Sequence, residues 1–160
     1  MSFTNDKSSD NYITNKSDWE KIVQFIPTDK QIWSPFYCDG KQKEYFAELG
    51  FDIIHEDEDF FENNKGDIII DNPPFSKKKE VIKRLKELDK PFIIICPSMM
   101  IGYKYFQDYF ANQIQIIIPN KRIGFKHLDN EDNDKIVTPP FGSFYYCYKM
   151  NLPKDMIFIE

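Results

Sequence analysis

The sequence lacks the cysteine patterns of zinc sites and of disulfide-stapled folds. Its three cysteines, Cys38, Cys96 and Cys147, are scattered, and no CxxC or Cys/His spacing matches a metal motif. Isolated thiols in odd number are typical of a reduced setting. We therefore expect free cysteines and no metal site in an intracellular protein.

Long hydrophobic runs and an excess of basic residues are also missing. No apolar stretch reaches the roughly 20 residues that a membrane-spanning helix needs, and the opening segment MSFTNDKSSD has no hydrophobic signal region. The net charge is −5, so no global positive field attracts nucleic acid. The sequence predicts a soluble protein with no membrane partner, in which nucleic-acid contacts must rest on local basic patches.

The length and composition are those of one globular domain. The chain has 160 residues, of which 41% are hydrophobic and 29% charged, enough for one core but too few for a second large module. We expect a flexible polar tail over residues 1–16 and a single domain over 17–160, without a separate target-recognition domain.

Apolar strand patterns alternate with helical ones along the chain. Such alternation predicts an α/β fold with a mostly parallel sheet and helices on both faces, in which ligands lie beyond the carboxyl ends of the strands. Strands are predicted at 31–36, 51–57, 67–70, 91–97, 113–119 and 141–150, the last two closing the sheet, helices at 19–25, 43–50, 77–88 and 103–110, and a polar acidic loop at about 128–135.

The segment DNPPFS, residues 71–76, carries the strongest chemical signal. Two prolines directly after a buried strand cannot continue its ladder, so they fix the backbone where the sheet opens. The Asn72 side-chain carbonyl and the Pro73 backbone carbonyl can accept both hydrogens of a planar amino group and free its nitrogen lone pair. Phe75 offers a face for stacking a base. We predict a catalytic set of Asn72, Pro73, Pro74 and Phe75.

This segment resembles the Asp/Asn/Ser-Pro-Pro-Tyr/Phe signature of amino-directed nucleic-acid methyltransferases, especially the adenine-specific ones. PFYCDG, residues 35–40, resembles their Phe-x-Gly-x-Gly cofactor loop, and HEDEDFF, residues 55–61, resembles the acidic ends of their second and third strands. The likeness is greatest to short viral or phage-type members. It implies a Rossmann-like class I fold with a seven-stranded sheet, and S-adenosylmethionine as methyl donor.

The resemblance also assigns cofactor-binding residues. Those bordering the methionine part would be Pro35, Phe36, Asp39 and Gly40. Glu56 or Asp57 would accept hydrogen bonds from the ribose, and Asp59 and Phe60 would meet the cofactor's adenine. One departure is Cys38, which stands where the family has its first glycine and could crowd the cofactor.

Two basic clusters are candidates for substrate contacts. Directly after the catalytic set, Ser76 is followed by a basic run of Lys77, Lys78, Lys79, Lys83 and Arg84. The second cluster, at the end of a strand, consists of Lys121, Arg122, Phe125 and Lys126. The alternative for the lysines is a solvated helix face.

Other notable side chains are assigned structural places. His55 and His127 are isolated and are expected at the surface or a sheet edge. Tyr145, Tyr146 and Tyr148 are expected to pack in an edge-like strand.

The function predicted from these features is transfer of a methyl group to the N6 amino group of adenine in DNA. The alternatives are the same chemistry on RNA adenine or another planar amino group, and a non-catalytic binding module with the same fold. Without an inserted recognition module, the enzyme would have low sequence specificity, prefer single strands, or read DNA as a homodimer or with a partner.

Overall fold

The computed structural model describes residues 12–128 and 135–160, in which ten strands and four α-helices are present. The predicted loop at 128–135 lies almost wholly outside these residues. The strands are β1 Tyr12–Thr14, β2 Ile32–Trp33, β3 Ile53–Ile54, β4 Ile68–Asp71, β5 Phe92–Pro97, β6 Ile114–Pro119, β7 Phe125–His127, β8 Ile136–Val137, β9 Ser143–Tyr148 and β10 Met156–Ile159. The helices are α1 Lys16–Glu20, α2 Gln42–Glu48, α3 Lys78–Leu88 and α4 Lys104–Phe110, with 3₁₀ turns at Val23–Phe25, Phe75–Lys77 and Ser98–Gly102.

The main sheet has seven strands in the order β10-β6-β9-β5-β4-β2-β3. All neighbouring pairs are parallel except those of β9, which runs antiparallel to both β5 and β6. Apolar runs such as that of β5 are buried along their whole length, as central strands must be. The predicted Rossmann-like fold with a mostly parallel seven-stranded sheet is confirmed.

Helices cover both faces of this sheet. One core cluster joins Trp19 of α1 and Phe46 of α2 to the sheet, and the other joins Leu85 of α3 and Phe110 of α4 to the opposite face. The helices are short, so their stability comes from burying these apolar side chains rather than from helix propensity alone. None of the helices in residues 12–128 and 135–160 has the length and apolar character needed to cross a bilayer.

Two predictions about the sheet are wrong. β9 lies between β5 and β6, so Tyr145, Tyr146 and Tyr148 pack in the interior rather than at an edge. The last strand is β10, which pairs in parallel with β6 and forms one edge of the sheet. Its alternation of exposed and half-buried residues is too short to stand out in the sequence.

A second, three-stranded antiparallel sheet joins the start of the chain to its later part. Its order is β1-β7-β8, and Thr14 pairs with Phe125. Gly124 permits the close approach of β8, because a Cβ there would lie 2.4 Å from Ile136 Cγ2. The flexible tail predicted for residues 1–16 therefore extends too far, because β1 begins at Tyr12 and α1 begins at Lys16.

The three cysteines form no disulfide. Cys96 and Cys147 are buried in the sheet, and Cys38 is exposed. Burial raises the pKa of the Cys96 thiol to about 12, which keeps it protonated and unreactive.

The Tyr145 hydroxyl ties β9 to α1, since it donates a 2.6 Å hydrogen bond to the buried backbone carbonyl of Asp18. Tyr145→Phe should lower the free energy of unfolding by about 1–3 kcal/mol, because the carbonyl loses its partner. Urea denaturation measures this. Tyr105→Phe is the matched control, since the Tyr105 hydroxyl is buried without a partner among the described residues. Equal midpoints for both variants would contradict the role of the Tyr145 bond.

Candidate active site

Three parallel strands end side by side and bring their following residues together. Ser34 follows β2, His55 follows β3, and Asp71 is the last residue of β4. All three are almost completely buried, although their side chains are polar. Buried polar groups need hydrogen-bond partners, and these residues find most of theirs in one another and in the adjoining loops.

The Asp71 carboxylate is the centre of this cluster and accepts four hydrogen bonds. Oδ2 receives the Ser34 hydroxyl at 2.9 Å and the Phe36 backbone N–H at 2.7 Å. Oδ1 receives the Gln42 amide at 3.0 Å and the Asn72 backbone N–H at 2.7 Å. Gln42 also donates to the Ser34 hydroxyl. The predicted cofactor loop and the predicted catalytic segment are thus fastened to the same carboxylate.

Burial raises the pKa of Asp71 to about 6. The cost of holding a charge away from water causes this rise, and it is opposed by the charge of His55 and by the N–H groups of Phe36 and Asn72. The Asp71 carboxyl group therefore keeps its proton to a higher pH than a free aspartate side chain does.

His55 is buried, and its predicted place at the surface or a sheet edge is wrong. It is 2% exposed, its Nδ1 lies 2.8 Å from the Ser34 carbonyl oxygen, and the Tyr37 ring stacks on it with centroids 5.0 Å apart. Nε2 is buried without a hydrogen-bond partner among the described residues. The polar character of the residue hid this packing role. His127 is half-buried in β7, which is the central strand of the small sheet and not an edge strand.

The loop that resembles the cofactor motif forms a tight turn with its cysteine in place. Cys38 has φ +51° and Gly40 has φ +78°, both in the left-handed region that favours glycine. The Gly40 N–H donates to the Tyr37 carbonyl at 2.8 Å and closes the turn. A Cβ on Gly40 would lie 2.7 Å from the Tyr37 hydroxyl, so this glycine makes room for that ring. The exposed Cys38 side chain does not block the turn.

A cavity of about 190 Å³ opens where these elements meet. Four predicted site residues line it, namely Phe36, Asp39, Asn72 and Pro74. Residues that sequence reasoning did not assign complete the lining: Tyr12, Ile13, Thr14, Tyr37, Cys38, Gln42 and Asp71. An acidic residue ending a buried strand directly before the catalytic motif was the signal for Asp71, whereas nothing local indicated Thr14 or Gln42.

The N-terminal strand β1 forms one wall of this cavity. Thr14 is 1% exposed, lines the cavity, and its Oγ1 has no hydrogen-bond partner among the described residues. The Asn15 side chain fastens the strand by donating to the Gly124 carbonyl at 2.9 Å. A buried hydroxyl without a partner is costly in a protein interior, so this one points to a bound group that completes it.

The predicted stacking residue Phe75 is enclosed. It is 4% exposed, with Tyr12 and Phe141 at centroid distances of 5.8 Å and the Lys78 Nζ 4.6 Å from its ring centroid. The ring supports the catalytic segment from inside and offers no open face to a base. Pro73 is buried beside it.

The predicted ribose and adenine contacts lie outside the lining of the 190 Å³ cavity. Glu56 and Asp57 are exposed, and Glu56 pairs with Lys43 at 3.4 Å. Asp59 closes the next turn by accepting the Phe61 N–H at 2.9 Å, and Phe60 is buried against Phe36. The remaining predicted loop residues, buried Pro35 and half-buried Gly40, also lie outside the lining.

The predicted substrate residues are divided between surface and core. Half-buried Ser76 and exposed Lys77 follow the catalytic segment, and Lys77 borders a groove of about 510 Å³ with Arg84. Lys78, in contrast, is 4% exposed, and burial lowers the pKa of its amine. It packs against Phe75, so its expected phosphate contact is replaced by a core contact.

The second predicted cluster does not stay together. Arg122 is exposed and donates to the Pro139 carbonyl at 3.3 Å. Phe125 is completely buried and stacks on Tyr12 with centroids 5.5 Å apart, so it cannot contact a substrate. Side chains alternate between the two faces of β7, and that of Phe125 points inward. The basic residues near it in the sequence had suggested a surface position instead.

Comparison with models of known protein families gives a match for this chain. The family model described as adenine-specific methyltransferase EcoRI matches residues 37–144, from the cofactor loop to β9. The chain belongs to this family. No curated protein matches the chain.

Membership of the adenine-specific methyltransferase family agrees with the arrangement at the strand ends. The match includes the segment 71–76 and Gln42, whose amide donates to the Asp71 carboxylate, and it begins one residue after Phe36. It does not include β1, which contributes Thr14 to the same cavity. The family indicates adenine-specific methyl transfer as the activity.

The raised pKa of Asp71 predicts a pH-dependent contribution to stability. The folded value of about 6 lies above the value of 3.8 for a free side chain, so the native state binds this proton more tightly. This contribution is full below pH 4 and is lost as pH rises through 6. On acidification from pH 7.5 to 4, the free energy of unfolding of the wild type should rise by about 2–3 kcal/mol relative to Asp71→Asn.

Urea denaturation of both proteins at each pH measures this difference. Groups remote from Asp71 titrate in both proteins and cancel in the subtraction. A difference that does not vary with pH would show that Asp71 is not the titrating group.

Proposed function

We propose that the protein transfers the methyl group of S-adenosylmethionine to the N6 amino group of adenine in DNA. The observation that carries this proposal is the cavity that Asn72 and Pro74 of the catalytic segment line together with Asp39 and Thr14, whose buried hydroxyl has no partner among the described residues. Family membership supports the adenine specificity. A DNA target also agrees with the intracellular setting that the sequence predicts.

The residues at the cavity fit the amino-acid end of the cofactor. Thr14 Oγ1 needs a hydrogen-bond partner, and Asp39 and Gln42 are polar neighbours in the same lining. The volume of about 190 Å³ is smaller than the roughly 300 Å³ of the smallest common ligand sites, so it suits only part of the molecule. Its nucleoside end would then extend towards the acidic turn formed by residues 56–60.

S-adenosylmethionine supplies an electrophilic methyl group when it is bound. The protein's part is to align and activate the amino nitrogen. The Asn72 side-chain carbonyl and the Pro73 backbone carbonyl accept the two N–H hydrogens, which favours a tetrahedral nitrogen with a free lone pair. Pro73 and Pro74 hold these acceptors rigid, and the enclosed Phe75 ring anchors the segment in the core.

A different aromatic residue fits the stacking role predicted for Phe75. Tyr12 is half-buried and lines the cavity with Asn72 and Pro74. Its ring is already held against Phe125, Phe75 and His127. We therefore assign the base contact to Tyr12. Target reading by a second copy or by a partner protein stays a prediction.

Methyl transfer can be measured directly with a labelled methyl group on S-adenosylmethionine. We expect label in DNA as N6-methyladenine, and a loss of about 100-fold or more in Asn72→Ala, because an acceptor for the amino group is missing. Duplex DNA, single-stranded DNA, RNA and a protein extract are the substrates. Label in RNA or protein alone would replace DNA as the target, and transfer undiminished in Asn72→Ala would remove the segment from the chemistry.

Thr14→Val tests whether the unpaired hydroxyl completes the cofactor site. Loss of one hydrogen bond should weaken S-adenosylmethionine binding about 5–10-fold by titration calorimetry. The same change should leave the ligand-free protein as stable or more stable, since it removes a buried polar atom without a partner. Thr138→Val, at an exposed position near the same small sheet, is the control. Unchanged affinity in Thr14→Val would place the cofactor elsewhere.

A further inference from the structure

The buried carboxylate of Asp71 bonds to two separate backbone segments at the cavity. It uses both oxygens for charge-assisted hydrogen bonds to two backbone N–H groups, each at 2.7 Å. One N–H belongs to Phe36 of the cofactor loop and the other to Asn72 of the catalytic segment. Both of these residues line the cavity.

We propose that Asp71 is a positioning residue that couples cofactor binding to nucleic-acid binding, so that the occupied cofactor loop sets Asn72 in its working position. This inference rests on the proposed function. Asp71 touches neither substrate itself; it acts through the two backbone segments that it fastens together.

The chemistry of the four donors explains why this position needs a carboxylate. An ionised carboxylate accepts about four hydrogen bonds and donates none, and all four neighbours of Asp71 donate. An asparagine would turn an NH₂ group towards two of these donors. At least one loop would then lose its anchor while the side-chain volume stayed the same.

The short path makes the coupling specific. Both bonds end on one rigid, planar group, so a filled cofactor loop that holds the Phe36 N–H in place also holds the acceptor of the Asn72 N–H in place. Ser34 and Gln42 bond to the same oxygens and limit the carboxylate to one orientation. The structure therefore predicts that nucleic acid binds more tightly after the cofactor site is filled.

The test compares nucleic-acid affinity with and without the demethylated product, S-adenosylhomocysteine. By fluorescence anisotropy with an adenine-containing DNA oligonucleotide, wild-type affinity should rise at least 10-fold with the ligand. In Asp71→Asn the ratio should fall to about 1. Ser34→Ala keeps the carboxylate and both backbone bonds, so it should retain most of the coupling.

A purely structural role of Asp71 predicts a different pattern. Thermal melting identifies conditions under which each variant is folded. Asp71→Glu is the second variant, because it keeps the charge but moves the carboxylate oxygens by about one bond length. An equal ratio in the wild type, Asp71→Asn and Asp71→Glu would overturn the inference. Methyl transfer by the wild type reports separately on the proposed function. A failure of the coupling inference can therefore be distinguished from a failure of the proposed function.

Discussion

The arrangement of the loops at the carboxyl ends of the parallel strands depends on one buried carboxylate. Asp71 terminates β4 and is 1% exposed, yet it accepts hydrogen bonds from β2's following residue, from the cofactor loop, from α2 and from the catalytic segment. A charge buried this deeply is costly unless its oxygens are saturated. The four donors offset part of that cost, although burial still raises the pKa of the carboxyl group. They also fix the relative positions of the two loops to which the proposed function assigns the cofactor and the target base.

The small sheet gives the site a wall that the parallel sheet cannot supply. Parallel strands place their following residues at one edge, but that edge is open to solvent. β1 closes one side of it by pairing with β7 more than a hundred residues later, and it brings Tyr12 and Thr14 to the cavity. β1 is thus part of the candidate active site, although it lies outside the span of the family match.

Local patterns in the sequence predicted the elements with strong periodicity and missed those held by distant contacts. The apolar strands β4 and β5 and the amphipathic helix α3 were predicted nearly to the residue, because burial dictates their composition. β1, β7, β8 and β10 have two to four residues each and depend on remote partners. The same division holds at the site: the motif indicated Asn72 and Phe36, whereas Thr14, Gln42 and the enclosure of Phe75 follow only from the three-dimensional packing.

A crystal structure with S-adenosylhomocysteine would test the central claim most directly, namely that the cavity between Thr14 and Asn72 is where the methyl donor meets its target. We expect the amino-acid end of the ligand within hydrogen-bond distance of Thr14 Oγ1, with its sulfur directed towards Asn72 and with Asp71 still bonded to both loops. A ligand bound away from this cavity, or a cavity still closed around an unpaired Thr14 hydroxyl, would contradict it.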